Sequence, residues 1–191
     1  MTTTISQQVL TDTWAEFCDG INQFLQDLGL SNLGLECDHV ALRVNSHNSA
    51  DLLRFHFEQH ASIISNNIIN GRPILIFELE KALILGELTI DCVELPYPSN
   101  KCYPVEGWEH IELVFPCDAT SCEELQTQLL KQAPQLERVF NGETEIKVKL
   151  SSPKGEHERL ANPTIAFKRD NICIKIHPHG IKAVISSEQA D

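Results

Sequence analysis

Two short blocks of this chain carry one pattern. Asp38-His39-Val40-Ala41-Leu42-Arg43-Val44 and Glu109-His110-Ile111-Glu112-Leu113-Val114-Phe115 both read acid, histidine, apolar, any residue, leucine, any residue, apolar, with their histidines 71 residues apart (positions 39 and 110). Such alternation suits a strand with one buried face. The offset is too long for a stacked solenoid repeat and fits a duplicated half-domain. Histidines at the same strand position in both halves would approach one another across a pseudo-two-fold axis, and two converging imidazoles make a metal site plausible.

The elements around the blocks repeat as well. An opening helix is expected from Ser6 to Leu28, with Val9, Trp14, Phe17, Ile21, Phe24 and Leu25 near one face and Gly29 as its stop. The first strand, Cys37 to Val44, leads to a helix capped by Asn48 or Ser49 and running to His60. Strands follow at Ser62 to Asn67, at Pro73 to Leu79 after an Asn70-Gly71 turn, and at Leu83 to Leu95. The second half reads as a strand from Glu109 to Phe115, a helix from Ala119 to Gln132, and a segment from Glu137 to Leu150 with a turn at Asn141-Gly142. Strands from Thr164 to Lys168 and from Ile172 to His177 complete it. The expected organisation is one α+β domain: a helical extension over 5–30, one unit over 36–98, a second over 106–180, and a short tail over 181–191.

Bulk properties exclude several classes. The hydrophobic fraction of 42% and charged fraction of 22% are those of an ordinary globular chain. A net charge of −12 argues against a nucleic-acid partner, whose phosphates call for clustered Lys and Arg. No stretch approaches the ~18 apolar residues of a membrane span. The start, Met1-Thr2-Thr3-Thr4-Ile5, lacks the basic and apolar regions of a secretory signal, so a cytoplasmic location is expected. Seven scattered cysteines without a Cys-x-x-Cys pair read mainly as small buried hydrophobes, Cys102 and Cys117 being the exposed exceptions. His110-Ile111-Glu112 with Pro116, Cys117 and Cys122 fails as a zinc-deaminase signature, because the cysteines are too far apart and the His-x-Glu lies on a strand.

Two βαβββ units in tandem, each opening on an acid–His strand, resemble the vicinal oxygen chelate superfamily, which includes glyoxalase I, extradiol dioxygenases and bleomycin-resistance proteins. The longer blocks are similar to the YecM family within it: Asp38-His39, Asn70-Gly71-Arg72-Pro73-Ile74, Val93-Glu94-Leu95-Pro96, Glu106-Gly107-Trp108-Glu109-His110-Ile111-Glu112, Ser151 to Asn162, and Ile174-Lys175-Ile176-His177-Pro178. The resemblance spans residues 5 to 188. It implies two βαβββ units forming one curved mixed sheet, helices on its convex face, and one divalent transition metal (Zn, Fe, Mn, Co or Ni) held by first and last strands.

Carried onto this chain, the superfamily's ligand positions are His39, Glu94 and His110. The usual fourth carboxylate is missing from Ile174-Lys175-Ile176-His177, where His177 is the available ligand and Lys175 a cation that repels metal. Which of those two turns inward is left open by the strand period. Glu112 shares the His110 face and could ligate, orient a ligand or act as the catalytic base. Strict alternation sends Asp38 and Glu109 to the face opposite their histidines.

The remaining polar candidates have two readings each. Arg43 binds a substrate carboxylate or serves as counter-ion to Glu94 or Glu112. Arg72 is a turn residue or a substrate contact. Lys154 and His157, in the loop Lys154-Gly155-Glu156-His157-Glu158-Arg159, are a solvated surface or part of a segment closing over a ligand. His56 and His60 form at best a weak surface pair. Two functions follow: a metal-dependent lyase, isomerase or oxygenase acting on a small oxygen-rich molecule, or a non-catalytic module holding a metal or small ligand in the same cavity. A homodimer is compatible with either.

Overall fold

The computed structural model describes residues 5–69, 71–152 and 160–189. Its centre is an antiparallel pair, β1 (Glu36–Arg43) and β5 (Gly107–Val114), one strand from each half. On the β1 side lie β4 (Leu88–Pro96), β3 (Arg72–Leu85) and β2 (Ala61–Ile69); on the β5 side lie β8 (Ile172–His177), β7 (Thr164–Arg169) and β6 (Lys147–Ser151). The order is β2-β3-β4-β1-β5-β8-β7-β6 in a single eight-stranded, curved open sheet. Within each half the first and last strands pair in parallel, β1 with β4 and β5 with β8, and the other pairs are antiparallel. The expected α+β architecture of two βαβββ units is the one found.

One face of this sheet is covered by helices. α1 (Gln7–Leu28) begins where the Ser6 hydroxyl accepts the Val9 amide and ends at Gly29, whose φ of 69° gives the left-handed stop expected of it. It buries Phe17, Ile21, Phe24 and Leu28 against β5 and β8. Trp14 meets Trp108 edge-on with ring centres 4.8 Å apart, and the Trp108 indole N–H donates to Leu10 O at 2.9 Å. α2 (His47–Phe57) and α3 (Cys122–Gln132) cover the two halves, their buried Leu53, Phe57, Leu125 and Leu129 joining the same core as Val40, Leu42, Ile111 and Leu113. Among the described residues no helix is long and apolar enough to cross a membrane.

Four expectations are corrected. α2 is capped by Ser46, whose hydroxyl accepts the Ser49 amide at 3.0 Å, and it ends before His60. The strand expected from Leu83 to Leu95 is two strands, because Gly86 (φ 58°) supports a tight β3–β4 turn. Residues 137–140 form a one-turn helix, α4 (Glu137–Phe140), after a 3₁₀ turn over Pro134–Leu136, so strand structure begins only at Lys147. The tail contains a helix, α5 (Ile181–Gln189). Gly71 has the positive φ (77°) of the expected β2–β3 turn, whereas Asn70 lies outside the described residues.

Candidate metal centre

Two β-bulges build the site. Along the β1–β5 ladder Cys37 pairs with Leu113 and His39 with Glu112, so Asp38 is an extra residue on β1. Further on Ala41 pairs with His110 and Leu42 with Trp108, so Glu109 is an extra residue on β5. A bulge turns two consecutive side chains toward one face. Cys37 and Val40 therefore both enter the core, as do Trp108 and Ile111, while Asp38 with His39 and Glu109 with His110 share the opposite face. The expectation that each acid would point away from its histidine is overturned by these bulges.

The consequence is a fixed tautomer for each ring. His39 Nδ1–H donates to Asp38 Oδ1 at 3.0 Å, and His110 Nδ1–H donates to Glu109 Oε2. Both Nε2 atoms then turn inward toward Glu112, whose Oε1 lies 3.5 Å from His39 Nε2 and 3.1 Å from His110 Nε2. Ligand atoms of His39, His110 and Glu112 all fall within 4.8 Å of one another, and all three residues are buried. Atoms sharing one ion at about 2.0–2.2 Å stand about 3.0–3.5 Å apart in tetrahedral or octahedral geometry. The two separations, 3.5 and 3.1 Å, match that range. His39 Nε2 is buried without a hydrogen-bond partner, a cost that a coordinate bond would remove.

Glu94 stands at the edge of this group. It pairs with Ala41 across the parallel β1–β4 ladder, and its Oε2 lies 3.8 Å from His39 Nε2. Lys175 pairs with Glu112 across β5–β8 and places Nζ 2.6 Å from Glu112 Oε1. His177 also turns to this face, so both β8 candidates point inward. Asn162 Nδ2–H donates to His177 Nδ1 at 2.9 Å, and the Asn162 amide is oriented by its oxygen, which accepts the His179 N–H. That leaves the proton on His177 Nε2, directed at Asp38 Oδ2 (3.4 Å) and Glu112 Oε2 (3.8 Å). Neither contact is a hydrogen bond, so His177 Nε2, like His39 Nε2, is buried without a partner, and His177 stands outside the three-residue cluster.

The charges explain one another. Burial alone would raise the pKa of Asp38, but the imidazoles of His39 and His177 hold it far below the ordinary carboxylate range. Glu109 is likewise lowered to about 2, burial being outweighed by His110 and Arg43. Glu112 is held well down by Lys175 and His39 against the same desolvation. Burial lowers Lys175, yet Glu112 and Glu94 prevail and keep it firmly protonated. His39 is raised despite complete burial, by Asp38 and Glu112; His110 is raised by Glu109 and Glu112 against burial and Lys175. Four carboxylates (Asp38, Glu94, Glu109, Glu112) thus face two fixed cations (Arg43, Lys175). The remaining two negative charges match either two imidazolium protons or one divalent ion.

The other candidates lie apart. Arg43 is an internal counter-ion, but to Glu109 rather than to Glu94 or Glu112, and its guanidinium stacks 3.8 Å above the Tyr103 ring. Arg72 donates to Tyr97 O at 3.2 Å at the start of β3. Lys154 and His157 lie outside the described residues. Asp38, Glu109 and Asn162 are supporting groups that strict alternation does not reveal. The signal for the first two was a slip in apolar spacing: Cys37 to Val40 and Trp108 to Ile111 are three apart where a regular strand gives two.

The sequence matches the family described as YecM protein over residues 6–188. It is 41% identical over 174 residues to Protein YecM of Escherichia coli strain K12, covering 91% of this chain and 89% of that one. An uncharacterised Haemophilus influenzae protein is 40% identical over 153 residues, covering 77% and 76% respectively. A solved structure titled as a structural-genomics protein, EC4020, superposes with a TM-score of 0.75 at 33% identity over 95% of this chain and 92% of its own. The chain belongs to the YecM family.

Proposed function

We propose that this protein binds one divalent transition ion through His39, His110 and Glu112, with Glu94 in a fourth position, and holds a small oxygen-rich molecule on that ion. The observation that carries the reading is the buried, unpartnered Nε2 of His39 facing Glu112 Oε1 at 3.5 Å beside His110. Two imidazoles and a carboxylate suit Zn, Fe, Mn, Co or Ni and leave positions for an exchangeable ligand. When bound, the ion supplies Lewis-acid polarisation of chelated oxygens, the chemistry of a lyase, isomerase or oxygenase. The chain's own groups do the rest. Asp38 and Glu109 hold the two rings in the ligating tautomer. Lys175 brings a protonated ammonium to the same face, suited to an anionic oxygen.

Glu112 as ligand and partner of Lys175 is not free to act as the base the sequence suggested, and this favours a second reading: a non-catalytic module using the same site. The test begins with elemental analysis of protein purified without chelators or affinity metals, followed by calorimetric titration of the stripped protein with Zn²⁺ or Co²⁺. One site per chain is expected. Metal binding that survives unchanged in both His39→Ala and His110→Ala would overturn the proposal, and turnover by metal-loaded protein separates the enzyme from the binding module.

A further inference from the structure

Helix α5 packs on the face that carries the site. Its Ile181 and Ile185 join Ile74 and Ile76 of β3 and Cys92 of β4 in a small apolar cluster separate from the main core. Lys182 fastens the same helix to Glu78 and Asp91. Ile76 pairs directly with Glu94, so this cluster borders the candidate metal centre.

A specific bond joins the two. The Ile181 N–H, in the first turn of α5, donates to Asp38 Oδ2 at 2.5 Å, while Asp38 Oδ1 accepts the Nδ1–H of His39. First-turn amides have no partner inside their own helix, and the positive helix end favours a carboxylate. Asp38 is therefore both the cap of a helix 143 positions away and the group that orients a ligand. A nine-residue helix is marginal by itself and keeps its form through docking.

We infer that α5 is a positioning element for the metal centre, and that docking of this helix and binding of the ion strengthen each other. Docked, α5 fixes the Asp38 carboxylate and, through it, the ring plane and tautomer of His39. Undocked, it leaves Asp38 Oδ2 with only the His177 Nε2 contact at 3.4 Å, and the hold of Asp38 on the His39 ring loosens. This rests on the metal reading above, and coupling of this kind is reciprocal.

Ile185 packs in the apolar cluster with Ile74, Ile76 and Cys92 and is neither a proposed ligand nor part of the Asp38 cap, which makes it the residue to change. Ile185→Asp undocks α5, and Ile185→Leu keeps it docked. The probe is Co²⁺, followed by its visible absorption and by calorimetry, with amide exchange over 181–189 reporting the helix. The expected result is a roughly 10- to 100-fold weaker Co²⁺ affinity and an altered absorption band in Ile185→Asp, the range typical when a ligand's outer partner is lost. Ile185→Leu behaves as wild type, and Co²⁺ slows exchange of the α5 amides in the wild-type protein. Should Ile185→Asp not fold, Lys182→Glu, which sets like charges against Glu78 and Asp91, loosens the same helix. Wild-type affinity and spectrum in a variant whose α5 amides exchange freely would overturn the inference and leave the metal site standing. A wild-type protein that binds no Co²⁺ would remove the metal reading and this inference with it.

Discussion

The two halves of the sheet are twins at their first strands and opposites at their last. Asp38-His39 on β1 and Glu109-His110 on β5 are matching bulges, each turning an acid and a histidine to one face and each fixing a ring through Nδ1. Past the histidines the match breaks. Ala41 pairs with Glu94 in the first half, and its counterpart Glu112 pairs with Lys175 in the second. The second half has its carboxylate on the first strand and an ammonium where the first half has Glu94. The matching part supplies the two converging histidines and the divergent part sets the charge. The halves match where an acid holds a ring and differ where the last strand sets the charge beside it.

The largest effect will test the twins. Removing either imidazole leaves at most one histidine and the carboxylates, so His39→Ala and His110→Ala will each lower metal affinity by orders of magnitude in calorimetric titration. A large loss in one and none in the other would break the equivalence of the halves.

Next come the bulged acids. Asp38→Asn and Glu109→Gln keep the shape but can present an amide N–H to the ring, which disfavours the ligating tautomer. A loss of about 10- to 100-fold is expected for each, measured with the same titration. A negligible change at both would mean that the bulges serve only the strand.

Lys175 probes the divergent strand. Its ammonium lies 2.6 Å from Glu112 Oε1, the oxygen that a metal in the proposed site would share. Two unit charges about 4 Å apart interact by about 4 kcal/mol at an effective dielectric of 20, part of which is lost to solvent and relaxation. Lys175→Glu, which gives the second half the carboxylate that the first has at Glu94, will therefore tighten metal binding by about tenfold or more. Weaker binding would show that Lys175 supports the site rather than opposing the ion.

The smallest effect is in the pH profile of the metal-free protein. His39 and His110 have raised pKa values, so the stability they contribute is complete below the unfolded value of about 6.5 and is lost as pH rises through their folded values. Asp38, Glu109 and Glu112 have lowered values, so theirs is complete above the unfolded value of about 4 and is lost as pH falls through the folded ones. Thermal melts of stripped protein will thus show an optimum between about pH 4 and 6.5, and metal will move it upward, because the ion replaces imidazolium protons. An optimum that metal leaves unmoved would separate the histidines from binding.

Much of this was legible in the sequence, for definable reasons. The paired acid–His blocks located β1 and β5, and Ser6 with Gly29 bounded α1, because alternation and capping are local and leave local marks. Inward convergence of His39 and His110 followed from the repeat. The bulges did not, since one extra residue shifts the phase of alternation without changing its composition. The Gly86 turn was absorbed into an apolar run, and residues 137–140 looked extended although they close a helical turn behind Pro134. Lys175 and His177 share a strand parity, so only the sheet could show that both face the site. The docking of α5 on Ile74 and Ile76 is a contact between distant segments, which no window of sequence contains.

Everything proposed for this site turns on His39, His110 and Glu112 sharing one ion. X-ray absorption at the metal edge of Co²⁺- or Zn²⁺-loaded protein tests it most directly. Two imidazoles and a carboxylate oxygen are expected among nitrogen and oxygen neighbours at about 2.0–2.2 Å, with an imidazole contribution that falls by half in His110→Ala. A first shell containing sulfur at about 2.3 Å, or a spectrum unchanged by His110→Ala, would contradict it.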